Sequence, residues 1–306
     1  MTATLLPDDI RVFERGWLSS NNILLLSDTG SALIDSGYVS HTPQTLALLQ
    51  TALEDRPLKL LVNTHLHSDH CGGNAALQSR YPALRTLIPP GHADEVRRWD
   101  AVALSHTPTG QSCPPFRFDA VLVPGTSLRL GSRDWTIHAA PGHDPHSVIL
   151  FEPENGLLIS ADALWQNGFG VVFPEIEGMQ AFDEVGATLE LIESLQPRLV
   201  IPGHGSPFDQ LAPALTVARQ RLAQFRADPR RHARHAAKVL LKFKLLELQQ
   251  VAFADFRRWV TQTSYLTLLH EAYFAGIGFW NWIEELLQDL VRSGAARLDS
   301  EVLFNQ

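Results

Sequence analysis

The chain has little of what would mark a cross-linked, membrane-borne or disordered protein. Only two cysteines, Cys71 and Cys113, occur among 306 residues, which excludes a disulfide scaffold and makes a reducing cytoplasm the expected setting. No run of about 18 uncharged apolar residues, the length of a membrane-crossing helix, is present. The opening Met-Thr-Ala-Thr-Leu-Leu-Pro-Asp-Asp-Ile lacks the basic-then-apolar order of a signal peptide. Internal repeats and low-complexity tracts are missing too, so neither a solenoid nor a linker-like chain is expected. A positive excess is also missing. The net charge is −8, which counts against nucleic-acid binding by the surface as a whole.

What is present suits a packed protein. With 45% hydrophobic and 19% charged residues, enough apolar surface exists to offset chain entropy. The length accommodates one large domain, or one of about 200 residues with a smaller companion. Charge is unevenly spread. Between Arg219 and Arg258, eleven Lys/Arg face three Asp/Glu, so this stretch carries +8 and the remainder −16. Thirteen histidines are the other oddity.

The first two-thirds alternate short apolar runs with helical segments. Asn22–Leu26 and Ala32–Asp35 read as strands joined through Ser-Asp-Thr-Gly, and Leu58–Asn63 as a third. Thr42–Leu53 reads as a helix started by Thr-Pro, followed later by a short one over Asn74–Tyr81. Val121–Val123, Trp135–Ala139, Val148–Phe151, Leu157–Ser160 and Leu199–Ile201 are further strands, and Met179–Leu195 is an amphipathic helix. Long helical patterns dominate from Leu215 onward, and a single strand is expected over Ala295–Phe304. The texture changes near residue 212, which divides the chain into 1–212, a mixed α/β domain, and 213–306, a helical one.

The sharpest feature is Thr64-His65-Leu66-His67-Ser68-Asp69-His70-Cys71-Gly72-Gly73, directly after an apolar strand. In an extended segment residues i and i+2 point the same way, so His65 and His67 can face one cation. A turn into a helix can bring Asp69 and His70 back toward a neighbouring position, with Gly72 and Gly73 permitting close backbone approach. Four such donors in six residues are too many for a packing role, because each buried imidazole needs partners. Three further donors each sit just past an apolar strand: His143 in Pro-Gly-His, Asp162 in Ser-Ala-Asp and His204 in Pro-Gly-His-Gly. Strand C-terminal ends are where layered α/β folds place their sites. Recurring behind the histidine motif, they point to a metal cluster.

The pattern His-x-His-x-Asp-His followed by single His, Asp and His at strand ends resembles the metallo-β-lactamase superfamily, over about residues 20–208. That resemblance implies a four-layer αβ/βα sandwich with two divalent cations at one edge. It assigns His65, His67 and His143 to the first cation and Asp69, His70 and His204 to the second, with Asp162 bridging. Asp35, in Ile-Asp-Ser-Gly, matches the superfamily's early Asp motif as a residue behind the ligands. Two cations sharing a water stabilise hydroxide near neutral pH, which Asp69 would orient as catalytic residue. The expected metal is zinc, with iron or manganese as alternatives for such ligands. Lesser candidates around the site are His146, Trp165 and Phe169, the last two in the apolar loop Leu164–Pro174.

A β-lactamase proper is disfavoured by Asp162, where zinc β-lactamases carry Cys, and by residues 213–306. Helices followed by Trp280–Ser293, Gly294 and a strand resemble the winged-helix-like domain appended to one branch of these hydrolases. The expectation is therefore a cytoplasmic binuclear hydrolase of a small ester or thioester of acyl-CoA type. Three alternatives are weighed against it: an endoribonuclease gripping RNA with residues 219–258, a mononuclear-iron sulfur oxidoreductase, and a regulatory protein that keeps the site. No membrane partner is expected, and a homodimer through the aromatic-rich helices is compatible with the pattern.

Overall fold

Strand alternation decides which faces pair. In the computed structural model, which describes residues 6–306, β1 (Ile10–Phe13), β2 (Asn22–Leu25), β3 (Ser31–Ile34), β4 (Leu58–Val62), β5 (Arg85–Ile88) and β6 (Ala120–Val121) form one sheet in sequential order. The first three are antiparallel and β3 through β6 are parallel. A second sheet has the order β11-β10-β9-β8-β7, from β7 (Ser127–Leu130), β8 (Arg133–Ala139), β9 (Val148–Glu152), β10 (Leu157–Ala161) and β11 (Leu199–Pro202).

Side chains two apart share a strand face. Ile23, Leu25, Ile34 and Val62 of the first sheet accordingly join Trp135, Ile137, Leu150, Ile159 and Ile201 of the second in one buried cluster. The intervening Leu24, Leu33 and Leu61 turn outward onto Leu49 and Leu53 of α1 (Thr42–Leu53) and onto Leu77. α2 (Ser68–Cys71) and α3 (Asn74–Arg80, carrying Leu77) follow β4, and α4 (Ala93–Arg98) follows β5. After β10 come α5 (Phe173–Ile176) and α6 (Ala181–Leu195), which buries Phe182, Val185, Leu189 and Ile192 at helical spacing. This is the layered α/β sandwich that the motif resemblance implies.

Two compact units result. The first runs to Asp100 and resumes over Cys113–Ala223, ending within α7 (Leu211–Ala227); the second takes Ala101–Ser112 and Gln224–Gln306. In the second, α8 (Pro229–Leu248) starts with Asp228, whose carboxylate accepts from the Arg231 amide. It is followed by β12 (Gln250–Ala252), α9 (Phe253–Gln262), α10 (Ser264–Tyr273) and α11 (Phe279–Arg292). α11 buries Trp282, Ile283, Leu286, Leu287 and Leu290 on one face. Within the same unit, Trp259 Nε1 donates to the Gly110 carbonyl (3.1 Å), fastening residues 101–112 to α9.

Several elements differ from the sequence reading. Ala295–Phe304 is a hairpin, not a single strand: β13 (Ala296–Asp299) and β14 (Val302–Asn305) pair antiparallel across Ser300, which takes a left-handed φ of 54°. The polar Asp-Ser-Glu in the middle of that run supplies the turn. The Val121–Val123 strand reduces to Ala120–Val121 at a sheet edge, and β1, β5 and β7 lie where no strand was expected. No helix among the described residues is long and apolar enough to cross a membrane.

Candidate metal centre

Strand direction alone brings the donors to one place. β8, β10 and β11 run the same way in the second sheet, so His143, Asp162 and His204 all emerge from its C-terminal edge. β3 and β4 run parallel in the first sheet, so Asp35 and His65 emerge together. Backbone bonds seam the edges: Val148 N to Thr64 O (2.9 Å), Gly203 N to Ala161 O (2.7 Å) and Asn21 N to Gly203 O (2.6 Å). Asp35 and Ala161 take left-handed φ values of 57° and 47°, a conformation that costs energy for residues with a Cβ. Ala161 sits where the strand turns Asp162 into the cluster, and Asp35 sits at the end of β3 with its own carboxylate on His70. Gly203 has no room for a Cβ, which would meet the Asp162 carboxylate.

Four groups among the described residues have ligand atoms within 4.8 Å of one another, and three of them share this cluster: His65, His67 and His143; His65, His70 and Asp162; and Asp69, His70 and His204; the fourth is Cys71, His106 and Cys113. His67 Nδ1 lies 2.8 Å from His143 Nε2. Asp162 stands between the halves, with Oδ2 3.4 Å from His143 Nε2 and 3.8 Å from His204 Nε2, and Oδ1 3.4 Å from His70 Nε2. His204 Nε2 is 3.1 Å from Asp69 Oδ2.

The outer nitrogens are held by fixed acceptors. His143 Nδ1 donates to the Val171 carbonyl, and His204 Nδ1 to the Gly16 carbonyl (3.0 Å). His70 Nδ1 donates to Asp35 Oδ2 (2.8 Å), and Asp35 in turn accepts from Thr64 N (2.9 Å) and Thr64 Oγ1 (2.8 Å). These bonds leave the Nε2 atoms of His70, His143 and His204 facing inward, the arrangement that orients metal-binding imidazoles. Asp144 Oδ2 lies 4.0 Å from His67 Nε2.

Electrostatics divides the cluster. Burial holds His65 well below the ordinary imidazole range, assisted by repulsion from His70 and His67. His67 is pushed down to about 4 by burial and then by His143. Both therefore offer lone pairs at neutral pH without first losing a proton. Burial also opposes a proton on His70, but the carboxylates of Asp162, Asp35 and Asp69 outweigh it and hold that pKa well above ordinary. Asp162 is likewise penalised by burial, yet His70 and His204 keep it well below the usual carboxylate range.

This donor set fits divalent cations. His65 Nε2 and His70 Nε2 are buried inside it with no hydrogen-bond partner, an arrangement that costs free energy unless something else binds there. Imidazoles and carboxylates without thiolate suit zinc, iron or manganese.

The remaining candidates are placed differently. Trp165 Nε1 donates to Asp162 Oδ1 (3.3 Å), so its ring borders the cluster. Phe169 is buried, its carbonyl accepting from Arg221 (3.1 Å). The His146 ring packs edge-on to His92, 4.7 Å between centroids, while its amide donates to Asp144 Oδ1 (2.7 Å). Cys71, buried after His70, donates to the Leu66 carbonyl and lies 3.7 Å from Cys113 Sγ. Trp17, Thr64, Asp144 and Phe173 were not singled out from the sequence. Phe173 lies 5.7 Å from His67 and 6.3 Å from His143, ring to ring. Thr64, directly before His65, and Phe173, inside the apolar loop Leu164–Pro174, carried a signal.

The basic stretch is largely engaged within its own units. Arg219 pairs with Glu193, and Arg221 serves the Phe169 carbonyl. In the second unit Arg234 and Lys238 meet Asp289, Arg258 meets Asp255, Lys244 meets Glu247, and Arg257 lies over Trp280.

Residues 15–204 match the sequence profile described as "Metallo-beta-lactamase superfamily". Relatives include a nitric oxide reductase from Moorella thermoacetica, 31% identical over 147 residues covering 48% of this chain and 34% of that protein. A hydroxyacylglutathione hydrolase from Synechococcus is 29% identical over 54% of this chain and 57% of its own length. The chain thus spans about a third of the first and just over half of the second. A human acyl-coenzyme A thioesterase is 30% identical over 219 residues, 64% of this chain and 77% of that one. Among solved structures, a metallo-beta-lactamase family protein from Thermus thermophilus superposes with a TM-score of 0.60 at 17% identity, covering 99% of this chain and 100% of that one. Motif, strand-end geometry and profile agree: the chain belongs to the metallo-β-lactamase superfamily.

Proposed function

We propose that this chain is a binuclear metal-dependent hydrolase of a small ester or thioester. In this reading His65, His67 and His143 would hold one divalent cation and Asp69, His70 and His204 a second, with Asp162 available to both. The observation that carries it is the pair of buried, unpartnered Nε2 atoms on His65 and His70 inside a seven-donor cluster. Bound cations supply a hydroxide nucleophile near neutral pH and polarise the scissile carbonyl.

The protein's own groups prepare that chemistry. Asp35, Val171 O and Gly16 O keep three imidazoles aimed inward. Asp69 is the less buried of the two carboxylate donors, so it would orient that hydroxide. Hydrolase names among the relatives support the reaction class, and the thioesterase and hydroxyacylglutathione hydrolase names support a thioester. A mononuclear-iron oxidoreductase would leave Asp69 and His70 unligated, whereas their ligand atoms and that of His204 converge within 4.8 Å. The ion pairs along residues 219–258 weigh against RNA as substrate.

Zinc is the first metal to test, and two reduced thiols suit a cytoplasmic setting. The helices and hairpin of the second unit support a winged-helix-like reading of residues 213–306. Elemental analysis should find two cations per chain, and the loaded protein should cleave acyl-CoA or aryl esters. Turnover no better than that of His65→Ala would end the proposal.

A further inference from the structure

Trp17 is 60% exposed, an unusual position for so large an apolar ring. It is not adrift. Its indole lies nearly parallel to the His204 imidazole (14°, 5.4 Å between centroids) and edge-on to Trp165 (5.3 Å). Trp165 also packs against His204 at 5.4 Å while its N–H is fixed on Asp162.

The segment that presents Trp17 is anchored on both sides, after it by Ser20 N on the Asp69 carbonyl (2.9 Å) and before it by Gly16 and Arg15. The carbonyl of Gly16 orients His204. The buried Arg15 guanidinium donates to Asn22 Oδ1 (2.9 Å), Thr45 Oγ1 (2.9 Å) and Gln44 Oε1 (3.0 Å). Two indoles thus flank the His204 side of the donor cluster, and Phe173 flanks the His67 and His143 side. Holding an indole rigidly in water forgoes hydrophobic stabilisation that an apolar ligand would restore.

We infer that Trp17 and Trp165 form an acyl-binding subsite: the apolar acyl chain of the substrate lies across the two indoles while its carbonyl faces the cation-binding cluster. This rests on the hydrolase reading for the identity of the ligand, and it adds which arm of the substrate is selected and by which residues. A polar or short acyl group leaves the indoles wet and gains nothing from them.

The test uses carboxylates, the acyl halves of the products, so that binding is read apart from turnover. Calorimetry of the zinc-loaded protein with acetate, butyrate, hexanoate and octanoate should show affinity rising about two- to fourfold per added methylene. In Trp17→Gln, compared at matched metal content by elemental analysis, the rise should flatten and octanoate affinity should fall about tenfold or more. Trp17→Phe, which keeps a ring, should retain part of the rise. An undiminished chain-length rise in Trp17→Gln overturns the subsite, even if the protein hydrolyses every ester offered. A Trp17-dependent rise in a protein that cleaves no ester or thioester supports the subsite and overturns the hydrolase reading instead.

Discussion

The sheet edge of the first unit and the helices of the second treat charge in opposite ways. At the edge, Asp35 and Asp162 are buried and Asp69 half-buried among imidazoles, and two ring nitrogens have no hydrogen-bond partner. In the second unit, Asp289 is shared by Arg234, Lys238 and Arg292, and Asp255 by Arg258. Single buried atoms without a partner occur elsewhere too, on Trp135 and Trp282 for example; what marks a place built for a ligand is that seven imidazole and carboxylate donors converge at the sheet edge. Half-buried and exposed pairs satisfied among themselves mark a solvent-screened surface worth little individually.

That contrast can be broken by mutation. His65→Ala should have the largest effect, losing one cation and lowering turnover about a thousandfold, since metal stabilisation of the transition state is worth several kcal/mol. Full metal content and activity in that variant would place the cations elsewhere. Next comes Asp35→Asn, which removes the carboxylate acceptor behind His70 and should weaken metal binding about 10–100-fold. Competition with a chromophoric chelator measures this, and wild-type affinity would show that Asp35 does not position His70.

Smaller effects belong to the second unit. Burial would raise the Asp289 pKa, but Arg292, Arg234 and Lys238 bring it below 3.8. A carboxylate with a depressed folded pKa contributes stability that is present above its unfolded value and is lost as pH falls through the folded one. Asp289→Asn should therefore lower stability at pH 7 by about 1 kcal/mol or less for a half-buried pair screened by solvent, and the difference should shrink as pH falls through the depressed carboxylate pKa. A difference that grows on acidification would contradict this pairing. Arg258→Ala, whose partner Asp255 is more than half exposed, should change stability by less than about 0.5 kcal/mol. A large loss on thermal unfolding would mean that the basic stretch is more than a solvated face.

Much of the site was legible because its signals are local. His65 and His67 share a face through the two-residue period of extended chain, and His143, Asp162 and His204 each follow a short apolar run that reads as a strand. Trp17 carried no such mark. It lies in an irregular segment where neither period applies, and its importance comes from stacking on a residue 187 positions away. Phe169 illustrates the converse, since loop composition drew attention to it while packing turned it into the interior. The hairpin over residues 296–305 read as one strand because only Ser300 and its polar neighbours break the run.

Residue type and spacing by themselves determined the donor set, the apolar faces of the strands and the stripes of α1, α6 and α11, since each depends only on backbone periodicity and side-chain chemistry. Tertiary structure alone decided which carbonyl orients each imidazole, that an exposed indole stands over His204, and that residues 101–112 join the C-terminal helices. These are contacts between segments far apart in the chain, set by parallel strand direction and packing, and no local pattern encodes them.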